Sequence, residues 1–321
     1  MKFGRLLLNI TISALILIFL FQEAHLKKII DLFQQSKPFH FFMAVLVAGL
    51  SIQVNAWRWQ ILLKHLECNY KMSVISKISF ITFFFNVYLP GGVAGEIARV
   101  AMLPQPSNSN QNRADHLTQI TATVVTDKVV GFVGIMILAF VGFLFSYELL
   151  KQGEILLIFI GISIGIIGLS LTLFSRRTQT LIGKIFVLPF KFMNPIKSIV
   201  YNVTDSLFKY RDNPKVFQPV LLLSILGHIL VVLYFILLAE SIEVSIGYLK
   251  MGVYIPIIEF FSSLPISLGG LGIREATTVL LFAAEGVPAP EAISVSLLSF
   301  AVILIVGAVG GLLYFFNKFS N

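Results

Sequence analysis

Residues 85–99 read Phe85-Asn86-Val87-Tyr88-Leu89-Pro90-Gly91-Gly92-Val93-Ala94-Gly95-Glu96-Ile97-Ala98-Arg99. This stretch lies between long apolar runs, yet it contains a helix breaker, three glycines, a carboxylate and a guanidinium. A related stretch follows late in the chain, at Leu264-Pro265-Ile266-Ser267-Leu268-Gly269-Gly270-Leu271-Gly272-Ile273-Arg274-Glu275. In both, a proline precedes a Gly-Gly pair, and a third glycine, an Arg and a Glu follow. The functional prediction depends on whether the two stretches form one site.

The composition indicates a membrane protein. Hydrophobic residues make up 57% of the chain and charged residues only 12%, whereas a soluble domain carries about 25% charged residues. The apolar residues come in blocks close to the length that crosses a bilayer, and they do not alternate with polar residues. The net charge of +8 is distributed between these blocks. It therefore predicts contact with anionic lipid headgroups rather than with nucleic acid.

The apolar blocks predict six full spans, at 6–21, 38–63, 119–147, 155–174, 216–239 and 292–316. Two further apolar segments, 78–89 and 251–264, are too short to cross and end at Pro90 and Pro265. Each of them predicts a re-entrant hairpin that returns to the side it entered from. A polar link is expected at 22–37 and a solvated loop at 104–115. Residues 176–215 are expected to form an amphipathic helix on the cytoplasmic membrane surface.

The basic residues set the predicted orientation. Most of them fall in segments that are cytoplasmic if the N-terminus is inside, and only Lys27, Lys28, Lys37, Lys151 and Lys250 fall outside. The prediction is a multi-pass protein of the inner (plasma) membrane with both termini in the cytoplasm. We expect a single all-α polytopic domain over 1–321 whose halves, 1–150 and 151–321, form a 3+3 inverted repeat with opposed re-entrant hairpins. The alternative is that two loops of a glycine-rich membrane protein look alike by chance.

The two Pro-Gly-Gly breaks are the predicted binding site. A helix that restarts after a break presents free N–H groups and the positive end of its dipole, which suits a phosphate. Arginines in the first turns of such helices can add bidentate contacts, and glutamates can pair with them when no ligand is bound. The alternative for both arginines is an interfacial anchor. The predicted substrate-binding residues of the two stretches are Pro90, Gly91, Gly92, Gly95, Glu96, Arg99, Gly269, Gly270, Gly272, Arg274 and Glu275.

Three more ionisable residues interrupt apolar runs and join the predicted site. Asp127 lies inside a span beside Lys128, and a functional role is favoured over an interfacial one. Glu259 is either a proton carrier or a partner of Arg274. Arg58, between two tryptophans, is either an interfacial anchor or a substrate ligand.

Several chemistries lack their motifs. The sequence has no phosphate-binding Gly-x-x-x-x-Gly-Lys-Ser/Thr loop and no zinc-type histidine spacing. Its single cysteine, Cys68, excludes an intrachain disulfide. No cofactor and no metal are therefore expected, and an enzyme is less favoured than a carrier.

Four motifs in fixed order carry a family resemblance. They are Asn55-Ala56-Trp57-Arg58-Trp59-Gln60-Ile61-Leu62-Leu63, then Leu89-Pro90-Gly91-Gly92 through Glu96 and Arg99, then Asp127-Lys128-Val129-Val130-Gly131, and finally Gly269 through Glu275. The chain resembles the flippase-like family named for the transmembrane region of lysylphosphatidylglycerol synthase. The resemblance implies the movement or handling of anionic lipids or lipid-linked intermediates. The full synthases also carry a soluble aminoacyl-transferring domain, which is not expected in this chain, so lipid lysylation is not expected either. Ile-Ser-Leu separates Pro265 from Gly269, whereas the family tends to place the proline nearer the glycines.

The prediction is an integral membrane protein that binds and translocates an anionic phospholipid or a polyprenyl-phosphate-type lipid. The alternative is a membrane-embedded lipid-modifying enzyme, or an accessory subunit of a lipid or glycolipid synthase, that uses Glu96, Asp127 or Glu275 as acid or base.

Overall fold

The computed structural model describes residues 26–89, 94–104, 113–145, 213–263 and 270–318, with isolated helical positions between 153 and 165. Within these ranges every regular element is an α-helix, so the predicted class is confirmed for them. The helices are α1 Leu26–Gln35, α2 Pro38–His65, α3 Met72–Tyr88, α4 Ala94–Met102, α5 Arg113–Phe145, α6 Pro214–Ser241, α7 Tyr248–Ser263, α8 Ile273–Ala283 and α9 Ala289–Lys318. The predicted span 6–21, most of 155–174 and nearly all of the amphipathic segment 176–215 lie outside the described residues.

Four of the described helices are long and apolar enough to cross a membrane. They are Pro38–His65, His116–Phe145, Pro214–Ser241 and Ala289–Phe316. They match the spans predicted at 38–63, 119–147, 216–239 and 292–316. Two of them, α2 and α6, start with a proline at the first helical turn, where the missing N–H costs no hydrogen bond.

Two segments differ from the sequence prediction. The expected polar link 22–37 contains the helix α1, whose Ile29 is buried against Ile293 of α9. Lys28 of this helix also pairs with Glu291 at 2.7 Å. Helix α5 begins at Arg113, inside the predicted solvated loop 104–115. Both helices depend on tertiary contacts, which local polarity does not indicate.

Helices α3 and α7 have 17 and 16 residues, fewer than the about 20 that a bilayer crossing needs. Leu89, which follows α3, is extended at φ −106° and ψ 137°, because Pro90 disfavours helical geometry in the residue before it. Before α8, Gly270 and Gly272 have φ of +82° and +84°, a conformation that glycine adopts without strain. The described backbone is therefore non-helical at Leu89 and again at 270–272, next to the two predicted breaks.

Helices from the two halves of the sequence pack against each other. Helix α2 lies along α6, α3 packs on α9, and α7 packs on α5. Two glycines permit the close approach: a methyl group on Gly310 of α9 would overlap the backbone of Phe80, and one on Gly142 of α5 would contact the backbone of Leu249. Tyr88 also donates a hydrogen bond from its hydroxyl to the Leu304 carbonyl at 2.9 Å. Helices α3 and α7 thus each pack on a long helix from the opposite half of the sequence.

The largest fully buried side chains include Trp59, Phe235, Tyr254 and Phe282. Many large apolar side chains on the long helices remain exposed instead, as expected for surfaces that face lipid. Examples are Phe39, Phe42, Leu46, Phe140, Leu144, Leu222, Leu233, Leu312 and Phe315.

Candidate functional site

The end of α3 and the start of α4 are held together by Asn86. Its side-chain oxygen accepts a hydrogen bond from the Gly95 backbone N–H at 3.0 Å, and its amide donates to Glu96 Oε1 at 3.4 Å. Gly95 is needed here because a methyl group at this position would overlap the Thr82 carbonyl oxygen. The break at 90–93 therefore ends with α4 lying directly on α3, which directs Glu96 and Arg99 toward α5.

Asp127 of α5 lies at the centre of a buried ionic cluster. Arg58 of α2 donates from Nε to Oδ1 at 2.7 Å, and Arg99 of α4 donates from Nη1 to Oδ2 at 2.8 Å. The exposed fractions are only 3% for Asp127 and 6% for each arginine. A buried charge is tolerated when it is paired and hydrogen-bonded. Three helices distant in sequence are therefore joined through one carboxylate.

Neighbouring groups fix the two guanidinium groups. The Arg99 guanidinium lies over the Trp59 ring, 3.8 Å from its centroid, and such a desolvated cation–π contact contributes about 2 kcal/mol. The Trp59 indole N–H donates to Thr123 at 3.0 Å, which orients the ring. Arg58 also donates from Nη1 to the Ser224 hydroxyl of α6 at 3.1 Å. The arginines are thus held in position and do not project into water.

A second ion pair lies at the accessible edge of this cluster. Lys128 Nζ is 2.8 Å from Glu96 Oε1, and the Lys128 side chain is 51% exposed. Glu96 Oε2 is 3.8 Å from Arg99 Nη1, and the Glu96 side chain is 16% exposed. Glu96 therefore links the buried arginine with a lysine that is half open to the surroundings.

These groups line a partly open cavity of about 150 Å³. It lies between α2, α3, α4 and α5, within the membrane-spanning bundle. Its described charged lining consists of Arg58, Arg99 and Lys128 against Glu96 and Asp127, so the lining carries one excess positive charge. Its other lining residues are Ile52, Asn55, Ser79, Thr82, Phe83 and Asn86.

The glycine-rich turn of the second half forms a separate cluster. Glu275 is fully buried; it accepts a hydrogen bond from the Gly272 N–H at 2.5 Å and another from the Ser296 hydroxyl of α9 at 2.9 Å. Arg274 is also buried, with its guanidinium 5.7 Å from the Phe300 ring centroid. Glu259 of α7 interacts electrostatically with Arg274; its role as proton carrier or as partner of Arg274 stays a prediction.

The structure brings Arg58, Glu96, Arg99 and Asp127 onto one cavity, with Gly95 packed behind it. Arg58 is buried, which contradicts its interpretation as an interfacial anchor. The remaining described residues of the prediction belong to the second-half cluster and do not line this cavity: Glu259, Gly270, Gly272, Arg274 and Glu275. Pro90, Gly91, Gly92 and Gly269 lie outside the described residues. A single pocket shared by both stretches stays a prediction.

Several cavity residues were not predicted from the sequence. Ser79, Thr82 and Asn86 follow one another at helical spacing on an otherwise apolar helix, which is the signal that could have identified them. Trp59, next to Arg58 in the sequence, is fully buried. Among the described residues, no group of three or more His, Cys, Asp and Glu side chains could hold a metal ion.

Tyr70 lies outside the spans, between α2 and α3, and connects this segment to the residues that follow α4. Its hydroxyl donates to the Pro104 carbonyl at 2.7 Å and lies 3.0 Å from His116 Nε2. Burial, and secondarily the charge of Cys68, raises the pKa of Tyr70 to about 12. The phenol is therefore a stable hydrogen-bond donor at neutral pH, and it ties the start of α3 to the segment that follows α4.

The long apolar helices and the buried charged cavity define a helical, multi-pass membrane protein. The chain belongs to the lysylphosphatidylglycerol synthase transmembrane region family, whose family model matches residues 6–311. It is also similar to the UPF0104 membrane protein PH1989 of Pyrococcus horikoshii, with 24% identity over 313 residues that cover 91% of this chain and 90% of that protein. The family resemblance predicted from the four motifs is thus confirmed, and it supports a lipid-related role in the membrane.

Proposed function

We propose that the protein binds the headgroup of an anionic phospholipid or of a lipid-linked phosphate intermediate and carries it across the bilayer. The observation that carries the proposal is a cavity between membrane-spanning helices whose described lining holds three cations against two carboxylates. A charge at membrane depth costs at least about 2.5–3.5 kcal/mol on insertion scales. The two buried arginines share the single carboxylate of Asp127, which favours an anionic ligand beside them.

The proposed route uses an inverted repeat of two three-span halves with opposed re-entrant hairpins. The helices α2 to α5 and α6 to α9 follow one another in the same order: long, short, short, long. The crosswise packing of α3 on α9 and of α7 on α5 is the pattern that exchange of two equivalent halves would produce. Rocking of such halves is the usual basis of alternating access.

The proposed orientation has both termini in the cytoplasm and the protein in the inner membrane. The two glycine-rich breaks then enter from opposite faces. We propose that the Arg274 cluster accompanies the headgroup at the stage when the cavity opens to the other side. The movement would be driven by a gradient or by mass action, since the sequence has no Gly-x-x-x-x-Gly-Lys-Ser/Thr loop for ATP.

Reconstitution tests the proposal directly. Purified protein is placed in phosphatidylcholine vesicles with a trace of acyl-labelled fluorescent phosphatidylglycerol, and a membrane-impermeant reductant reports which leaflet holds the label. We expect faster exchange between leaflets than in empty vesicles. We also expect the exchange to be lost when Arg99→Gln and Arg274→Gln are combined.

The control is Lys37→Gln, because Lys37 forms an exposed pair with Glu243 away from the cavity. Exchange at the rate of empty vesicles with correctly folded protein would contradict the proposal. So would full exchange in the doubly substituted protein. A covalently altered lipid with no change of leaflet would favour the alternative, a lipid-modifying enzyme.

A further inference from the structure

One wall of the cavity carries hydrogen-bonding groups that no described residue engages. The hydroxyl oxygens of Ser79 and Thr82 and the Nε of Arg99 are buried and have no hydrogen-bond partner there. These side chains are 8%, 7% and 6% exposed, respectively. A buried polar group without a partner costs about 1–3 kcal/mol. Three of them lining one small cavity therefore point to a ligand that supplies acceptor atoms.

The donor groups define the chemistry of the complementary ligand. Ser79 and Thr82 are three positions apart on α3, so their side chains share one helical face. Arg99 is held against the same cavity by Asp127 and Trp59, which leaves its Nε–H to donate. Two hydroxyls and one guanidinium N–H that donate together suit an anionic oxygen of a phosphoryl group.

The charges of the lining limit how negative that ligand can be. Asp127 already neutralises one arginine charge, and Glu96 neutralises Lys128 at 2.8 Å, which leaves one positive charge in excess. A phosphodiester carries one negative charge, whereas a phosphomonoester approaches two above its second pKa of about 6. The second charge would meet Glu96, whose Oε2 has no hydrogen-bond donor among the described residues.

We propose that this cavity, within the translocation function proposed above, selects a phosphodiester over a phosphomonoester. Ser79, Thr82 and Arg99 bind the phosphoryl oxygens. Glu96 is the specificity-determining residue, because it repels a second negative charge. The same chemistry belongs to a phosphodiester lipid headgroup or to a soluble phosphodiester, and the experiment distinguishes these sources.

The first test compares two lipids in the vesicle assay at pH 8. The probes are acyl-labelled phosphatidylglycerol, a monoanionic diester, and acyl-labelled phosphatidic acid, a monoester. The native protein is expected to exchange the diester faster. Glu96→Gln keeps the size and an acceptor for Lys128 but removes the repelling charge. It is expected to shift the monoester-to-diester rate ratio at least about tenfold, equivalent to about 1.4 kcal/mol.

The matched control is Glu243→Gln, which changes the net charge equally at an exposed pair. Its rate ratio is expected to equal that of the native protein. A Glu96→Gln ratio equal to that of the control would overturn the assignment of Glu96. Equal exchange of both lipids by the native protein would overturn the selectivity, although the proposed translocation would survive. Absence of any exchange would instead contradict the proposed function itself.

The second test addresses the hydroxyl groups. Ser79→Ala combined with Thr82→Val is expected to slow exchange of both lipids at least about tenfold, equivalent to about 1.4 kcal/mol. Thr82→Ser in the Ser79→Ala background retains one hydroxyl and is expected to recover part of the rate. Native rates in the folded double variant would overturn this subsite.

Soluble competitors separate the two sources of the phosphodiester. Glycerophosphoglycerol, a soluble diester, and glycerol 3-phosphate, a monoester, are added to the vesicles during the assay. Inhibition by the diester alone, relieved by Ser79→Ala with Thr82→Val, assigns recognition to the phosphodiester group itself. Inhibition by the monoester at equal or lower concentration would contradict the proposed selectivity. No inhibition by either compound, with lipid selectivity retained, would assign recognition to the membrane-anchored headgroup.

Discussion

Removal of the Asp127 charge is the most informative perturbation of this protein. Asp127→Asn keeps the shape of the side chain but leaves the Arg58 and Arg99 guanidinium groups without their carboxylate. The N–O distances to Asp127 are 2.7 Å from Arg58 and 2.8 Å from Arg99. The side chains are 7% exposed for each arginine and 5% exposed for Asp127, so both ion pairs are buried. Breaking a buried pair by removing one partner costs about 3–5 kcal/mol. We expect the free energy of unfolding to fall by that amount.

The assay is an SDS titration of the purified protein in mixed micelles, followed by circular dichroism. Glu243→Gln is the control, because its pair with Lys37 has side chains that are 78% and 51% exposed. Exposed pairs contribute about 0–1 kcal/mol. The control is therefore expected to lie close to the native protein.

A double-mutant cycle isolates the ionic contribution. Arg99→Gln together with Asp127→Asn restores the net charge of the cluster, so the two losses should not add. We expect a coupling free energy of at least about 1 kcal/mol between the two positions. An Asp127→Asn cost below about 1 kcal/mol, or strict additivity in the cycle, would refute the buried-cluster reasoning.

Two further predictions address the packing of the first hairpin and its base. Gly95→Ala is expected to lower the free energy of unfolding by about 1–3 kcal/mol, because its methyl group would overlap the Thr82 carbonyl oxygen. Gly49 faces open space, so Gly49→Ala should be neutral or stabilising by about 0.5–1 kcal/mol. Equal effects of the two substitutions in the SDS titration would contradict the packing. Tyr70→Phe should cost about 1 kcal/mol at neutral pH, because it removes the donor to the Pro104 carbonyl. The pKa of Tyr70 in the folded protein is raised to about 12, so its stabilising effect is complete below the ordinary pKa near 10. The advantage of Tyr over Phe should vanish as the pH rises toward 12. A difference in unfolding free energy between native protein and variant that stays constant from about pH 10 to 12 would contradict this.

The apolar blocks predicted the long helices well because crossing a bilayer requires an uninterrupted apolar length. Pro90 likewise predicted where α3 stops, because a proline acts on the residue directly before it. The start of α5 was missed because Arg113 to Thr118 look polar along the chain. His116, in this stretch, is nevertheless buried beside Tyr70, and that contact depends on a partner 46 positions away.

The charged residues of the site could be predicted because a charge within an apolar run needs either a partner or a function. Their pairing could not be predicted, because it depends on the axial register of α2, α4 and α5, which hydropathy does not encode. Hydroxyl side chains are harder still. The Thr126 hydroxyl donates a hydrogen bond to the carbonyl four residues earlier in its own helix, as such groups commonly do. The Thr82 hydroxyl does not, and nothing in the sequence predicts this difference.

The packing of α3 on α9 has a consequence for the order of synthesis. Tyr88 and the Leu304 carbonyl that it binds are 216 positions apart. At about 5–20 residues per second, a ribosome needs about 10–40 seconds to travel between them. The surface of α3 that packs on α9 therefore stays uncovered until α9 has been synthesised. Any insertase or chaperone that attends this protein would meet that surface during the interval.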